Sequence, residues 1–339
     1  MNWQSGIQAK TATKQWYVQN HANEKYATLK RSVPGYDALP CHECERIFVG
    51  NSKKIAGVGV GVAGFLWVGI SAALAANQRK LVFNPTANPT VERRVQAQRS
   101  TGHRIRAIVL RAKDGTKLAG WLMTPVNSGP HPAVIYFGGR SEDVSWVAHD
   151  AGRMFPGMAV LVVNYRGYGE SRGIPGEQRM VDDGRVLFDW LTEHGHVDPA
   201  KIAVVGRSLG SGVAVQVALE RSVHSIVLIT PYDSILALAQ RRFRAVPIGF
   251  LLRHRFESVK YASLLKAPTY VLRAATDDVV PHSHTSLLVA KLAHLYRDET
   301  IPNSNHLNIP YLESTQEKIA HFLSKQFRQA RIEALPFTA

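Results

Sequence analysis

"VVGRSLGSG", residues 204–212, places a serine between glycines directly behind a β-branched run. "KIAVVG" (201–206) reads as a buried strand, and helical periodicity takes over across 210–221. A turn squeezed between strand and helix holds its residue in a strained conformation and exposes the side chain above the sheet edge. Small neighbours are then a steric requirement, which Gly206 and Gly210 meet. In a chain with 26 glycines the spacing alone says little, so the weight falls on the strand-turn-helix setting.

The pattern around it is regular. "RIRAIVL" (104–110), "DGTKLAGWLM" (114–123), "PAVIYF" (132–137), "MAVLVVNY" (158–165), "SIVLIT" (225–230) and "PTYVLRA" (268–274) read as further strands. Helical spacing fits 177–194, 283–296 and 311–330. The later strands are almost uninterrupted apolar runs, as expected where helices cover both faces of a parallel sheet. The expectation is an α/β fold built on a mostly parallel central sheet.

A serine hydroxyl is a weak nucleophile until a base removes its proton, so Ser208 needs a histidine. Among 14 histidines, His306 stands out. It follows a short strand, "ETIPN", in the polar loop "NSNHLN" before the last helix, and so emerges at the same sheet end as Ser208. His282 and His284 open a helix and read as surface residues; His131, His194 and His196 fall in other loops. A carboxylate should orient the imidazole and stabilise its charged form. Asp277 and Asp278 follow the strand at 268–274, Asp233 follows the preceding strand, and all three satisfy the order serine, acid, histidine.

The amino-terminal quarter is different. Residues 1–54 are polar, lack periodicity and read as a poorly ordered tail. Residues 55–76, "IAGVGVGVAGFLWVGISAALAA", carry no charge and are long enough to cross a hydrocarbon core of about 30 Å. A single transmembrane anchor is expected there. The competing reading is a cleaved signal peptide, with Lys53 and Lys54 before it and Ala73-Leu74-Ala75 near its end. Basic residues on the two sides nearly balance, which leaves orientation open. Residues 77–103 read as a linker, 104–330 as the globular domain and 331–339 as a tail. Cys41 and Cys44 form a lone CxxC without the further ligands of a zinc site. The net charge of +15 is spread along the chain and favours an anionic partner. With no nucleic-acid motif present, a membrane surface is the expected partner. No metal or cofactor is implied.

Over about 80–330 the chain resembles an α/β-hydrolase, and more narrowly the membrane-anchored, serine aminopeptidase-like branch that is similar to depalmitoylases and monoacylglycerol lipases. The resemblance is carried by "KLVFNP", "DGTKLAGWLM", "VIYFGGRSED", "NYRGYGESRG", "GRSLGSG", "TDDVVP" and "NHLNIP", in the family's order. It implies Asp277 as the acid, because the acid precedes a "VVP" segment. It also implies an oxyanion hole from the backbone N–H groups of Leu209 and Arg140, with Gly138 standing where the family usually has histidine. Residues 233–267 form an insertion where lid elements normally sit, and its "VPIGFLL" is bracketed by Arg241, Arg242, Arg244, Arg253 and Arg255. The expected activity is hydrolysis of an ester or thioester through an acyl-enzyme formed on Ser208, with small acyl compounds, lipids or acylated proteins as substrates. A serine aminopeptidase-like peptidase is the alternative, and a non-catalytic membrane scaffold is the alternative of another class. The domain is expected outside the cytoplasm.

Overall fold

The alternating apolar runs assemble into one eight-stranded sheet, in the order β1-β2-β4-β3-β5-β6-β7-β8. The computed structural model describes residues 65–85 and 102–333. In chain order the elements are helix α1 (65–82), β1 (His103–Arg111), β2 (Lys117–Pro125), β3 (His131–Phe137), α2 (Ser145–Met154), β4 (Ala159–Val163), α3 (Glu177–Thr192), β5 (Val197–Arg207), α4 (Leu209–Glu220), β6 (Ser225–Ile229), α5 (Ile235–Arg242), α6 (Ile248–Leu251), β7 (Thr269–Thr276), α7 (His282–Val289), β8 (Leu295–Asn305) and α8 (Glu313–Glu333). β1 and β2 are antiparallel additions at one edge; β4, β3, β5, β6, β7 and β8 run parallel.

Successive side chains of a strand face opposite sides, and both sides are covered here. Ile135, Leu161, Val204, Ile226 and Leu228 pack with Leu187, Phe188 and Leu191 of α3 and Val213 and Val217 of α4. Their neighbours Val134, Val160, Val205 and Val227 pack with Val147, Ala151 and Met154 of α2 and Ile319, Phe322 and Leu323 of α8. The central strands therefore read as continuous apolar runs because neither face meets water.

Three expectations change. Helix α2 adds to the set, with Val147, Ala148, Ala151 and Met154 buried at helical spacing. The helix expected over 283–296 ends at Val289, and Leu295 and Tyr296 enter β8, an edge strand with many exposed side chains. His284 is buried rather than on the surface.

The insertion expected over 233–267 lies between β6 and β7 and carries α5 and α6. Ser234 caps α5 by accepting from Ala237 N. Arg241, Arg242, Arg244 and Arg253 are exposed, whereas Arg255 turns inward and donates to the carbonyls of Gly249 and Leu252. α1 packs on this insertion. Trp67 Nε1 donates to Ala245 O, Gln78 Nε2 donates to Leu251 O at 3.3 Å, and Gln78 Oε1 accepts from Arg253 N at 2.8 Å. Among the described residues no helix is long and apolar enough to cross a membrane. Residues 1–54 with Cys41 and Cys44, residues 55–64 of the expected span and the tail from 334 onward lie outside them.

Candidate active site

Ser208 occupies the turn between β5 and α4 at φ 47° and ψ −116°. Positive φ in a residue other than glycine costs on the order of 1–3 kcal/mol and persists only when its surroundings enforce it. Here Ser208 N donates to Ile229 O at 2.9 Å, and Ser208 O accepts from Ser211 N at 2.9 Å and Ser211 Oγ at 2.6 Å. A Cβ on Gly206 would lie 2.6 Å from Gly210 O and 2.7 Å from Ser211 Cα, and one on Gly210 would run into the carbonyls of Phe137 and Gly138. Close backbone approach at these two positions is what lets the turn form.

His306 follows β8 directly. Asn305 Oδ1 accepts from Leu307 N and Asn308 N, both at 2.9 Å, while Asn308 Oδ1 accepts from Asn305 N at 2.7 Å, so two asparagines fix the loop. His306 Nε2 lies 2.9 Å from Ser208 Oγ. Its Nδ1 donates to Asp277 at 2.9 and 3.0 Å. Asp277, just past β7, is itself held by the N–H groups of Val279 and Val280 at 3.0 and 2.7 Å. Of the three carboxylates left open above, Asp277 is the one that meets His306. Asp278 is exposed, and Asp233 is engaged by His284 Nδ1 at 2.8 Å. The arrangement can pass a proton from the serine hydroxyl to an imidazole whose tautomer the carboxylate fixes.

Sequence reasoning missed a buried ionic hub next to these groups. Glu142 Oε2 accepts from Arg207 Nη1 at 2.7 Å and from Gly139 N at 2.5 Å; its Oε1 accepts from Tyr136 OH at 3.0 Å and Trp146 Nε1 at 2.8 Å. Arg207 Nη2 goes on to His306 O at 3.1 Å and Leu307 O at 3.3 Å. One carboxylate thus ties the glycine loop after β3, the turn at Ser208 and the loop of His306 together. Burial alone would lower the Arg207 pKa, but the Glu142 carboxylate outweighs it and the pKa lies above the usual arginine value. Burial and the same carboxylate raise that of Tyr136. The available signals were the Arg within "GRSLG" and the Glu within "RSED", whose meeting spans 65 residues.

Ser208 and His306 line a cavity of about 830 Å³ together with Val82, Trp146, Leu238 and Leu307. The backbone N–H groups of Leu209 and Arg140 have no acceptor among the described residues, and both residues line this cavity. Three carboxylates also reach it, and each has partners within the protein. Glu142 is spoken for as described, Asp143 Oδ1 accepts from Ser145 N at 2.9 Å, and Asp150 Oδ2 accepts from Gln316 Nε2 at 3.0 Å. The loop after β4, "NYRGYGESRG", contributes structure. Arg166 is clamped between Asp183, at 2.7 and 2.8 Å, and Asp114, at 2.5 and 3.1 Å. Tyr165 OH reaches Gly138 O at 3.0 Å. Among the described residues no group of three or more histidine, cysteine, aspartate or glutamate side chains is placed to hold a metal ion.

Comparison with known proteins agrees with this fold. Residues 128–312 match the family described as serine aminopeptidase, S33. An uncharacterized protein of Mycobacterium tuberculosis is 33% identical over 253 residues, which cover 74% of this chain and 85% of that one. The alpha/beta hydrolase domain-containing protein WAV2 of Arabidopsis thaliana is 25% identical, over 69% of this chain and 81% of its own. Among solved structures, an acetyl xylan esterase from Paenibacillus sp. R4 superposes with a TM-score of 0.53 at 19% identity, covering 74% of this chain and 98% of that one, a likeness of fold. With a family match over more than half its length and the sheet, turn and connections described above, the chain belongs to the serine aminopeptidase S33 family of α/β-hydrolases.

Proposed function

We propose that the protein is a serine hydrolase that cleaves ester or thioester bonds of acyl compounds. Ser208 Oγ attacks the carbonyl while His306 Nε2 takes its proton, and Asp277 holds the imidazole and stabilises it once charged. The N–H groups of Leu209 and Arg140 receive the oxyanion, each worth about 3 kcal/mol where such donors have been removed from other enzymes. His306 returns the proton to the leaving group, and water then releases the acyl group from Ser208 by the same path in reverse. The observation that carries this reading is His306 bridging Ser208 and Asp277 at hydrogen-bond distance, with Ser208 in a strained turn. An acyl group suits the cavity, since Val82, Leu238 and Leu307 give it apolar wall; Glu142 and Asp150 are engaged on both oxygens within the protein, and Asp143, held at Oδ1, keeps a buried Oδ2 without a partner among the described residues.

The substrate lies at a membrane in this reading. The apolar stretch over 55–76 anchors the chain, with the domain outside the cytoplasm. Leu66, Val68 and Ile70 of α1 are exposed, and so is Phe250 of the insertion, at 94%, near exposed Arg241, Arg242 and Arg244. Such a mixture suits an anionic lipid surface. A reporter fused at Ala339 that works in the cytoplasm alone would reverse the orientation.

The first test is labelling of detergent-solubilised protein with a fluorophosphonate, wild type beside Ser208→Ala. Label confined to wild type supports the assignment and leads to p-nitrophenyl esters of increasing chain length, then thioesters and aminoacyl amides. A folded wild type that takes no label overturns it in favour of a binding protein with a hydrolase fold.

A further inference from the structure

Two glycines precede Arg140, and within the loop the Gly139–Arg140 peptide has one long bond of its own, from Glu142 N to Gly139 O at 3.4 Å. The peptide joining Gly138 to Gly139 is held at both ends, its oxygen by Tyr165 OH at 3.0 Å and its N–H by Glu142 Oε2. The peptide joining Arg140 to Ser141 is held from a different quarter, the end of α1. Ser141 N donates to Phe83 O at 3.3 Å, and Asn84 Nδ2 donates to Ser141 Oγ at 2.7 Å. The Arg140 guanidinium reaches the same segment, with Nε donating to Leu81 O at 2.9 Å and Nη2 to Lys80 O at 3.5 Å.

These acceptors suit a cation. The last carbonyls of a helix have no partner within it and carry partial negative charge. The segment is also a firm anchorage. Phe83 is fully buried, 4.9 Å by ring centroid from His254 and 6.3 Å from Phe256, and its carbonyl accepts from Tyr168 OH as well. The Gly139–Arg140 peptide, which carries the Arg140 N–H, is thus pinned between two fixed neighbours. A flip of that peptide would present a carbonyl where an oxyanion needs a donor.

We infer that Arg140 and Ser141 are positioning residues held by the end of α1, so that the oxyanion loop is set by a strap 59 residues earlier in the chain. This rests on the proposed use of the Arg140 N–H as an oxyanion donor. The backbone donor survives replacement of the side chain, which makes the side chain's part separable.

The experiment uses the full chain, with Arg140→Ala, Arg140→Lys and Asn84→Ala beside wild type. Two quantities are read: kcat and KM on a p-nitrophenyl ester, and amide hydrogen exchange over 138–142. Arg140→Ala should lower kcat by about 10- to 100-fold, less than outright loss of a donor, with KM within about twofold. Arg140→Lys should recover part of the loss, since an ammonium can still serve the helix carbonyls, and Asn84→Ala should lower kcat less than Arg140→Ala. Exchange over 138–142 should quicken in Arg140→Ala while β3 and α4 stay as in wild type. Unchanged exchange in the loop, or exchange quickened throughout the domain, overturns the inference. So does an unchanged kcat in an active wild-type background. A wild type without turnover overturns the serine-hydrolase reading instead, and the exchange comparison still decides whether the strap positions the loop.

Discussion

Two histidine–aspartate pairs stand past neighbouring strands of the sheet. Asp277 follows β7 and receives His306 Nδ1 at 2.9 Å; Asp233 follows β6 and receives His284 Nδ1 at 2.8 Å. Both histidines are buried, and in both pairs the carboxylate also accepts backbone N–H groups. They part company at the other ring nitrogen. His306 Nε2 faces Ser208, whereas His284 Nε2 has no partner among the described residues. A buried imidazole on a carboxylate is therefore no evidence of chemistry by itself. What separates the two is the strained serine and the Arg207 tether that brings the His306 loop to it.

The sharpest way to break the comparison is to disable each acid in turn. Asp277→Asn should lower kcat by about 10³- to 10⁴-fold, because an amide no longer fixes the productive tautomer, and steady-state ester hydrolysis measures it. The tether comes next. Glu142→Gln leaves the buried Arg207 guanidinium without its carboxylate and should destabilise the fold by about 3–5 kcal/mol, seen as a lower urea midpoint. Asp233→Asn weakens a hydrogen bond to buried His284 and should cost about 1–3 kcal/mol of stability, with kcat within about threefold of wild type. Equal losses of kcat in the two aspartate variants would erase the distinction drawn above.

The smallest effect concerns a charge cluster outside both pairs. Hydrogen bonds from Arg166, and then from Thr116, hold the Asp114 carboxyl well below the usual carboxylate range. A depressed folded-state pKa contributes stability above the unfolded value, about 3.9 for aspartate, and that contribution is lost as the pH falls below it. Thermal melts between pH 5 and pH 3 should show a shallower acid limb for Asp114→Asn than for wild type.

Local signals made much of this legible. The turn at Ser208 and the emergence of His306 after a strand are short-range patterns, readable because a strand and a helix announce themselves within about ten residues. Asp277 could be separated from Asp233 and Asp278 only through family likeness, since all three follow strands. The burial of His284 leaves no local signal, since its partner lies 51 residues away. Glu142 meets Arg207 across 65 residues, and the strap serves the Arg140 loop mainly through the carbonyls of Lys80, Leu81 and Phe83, which leave no trace in residue identity. β8 was read short because an edge strand with exposed side chains lacks the apolar run that marks its buried neighbours.

Arg207 sits immediately before Ser208 and grips the carbonyls of His306 and Leu307. Serine and imidazole are thereby carried on a common mount. Thermal displacement of the turn drags the histidine loop with it, so the gap across which a proton would travel varies less than the position of either group. A site built in this way tolerates breathing of the sheet beneath it, because what it needs to keep constant is one short distance.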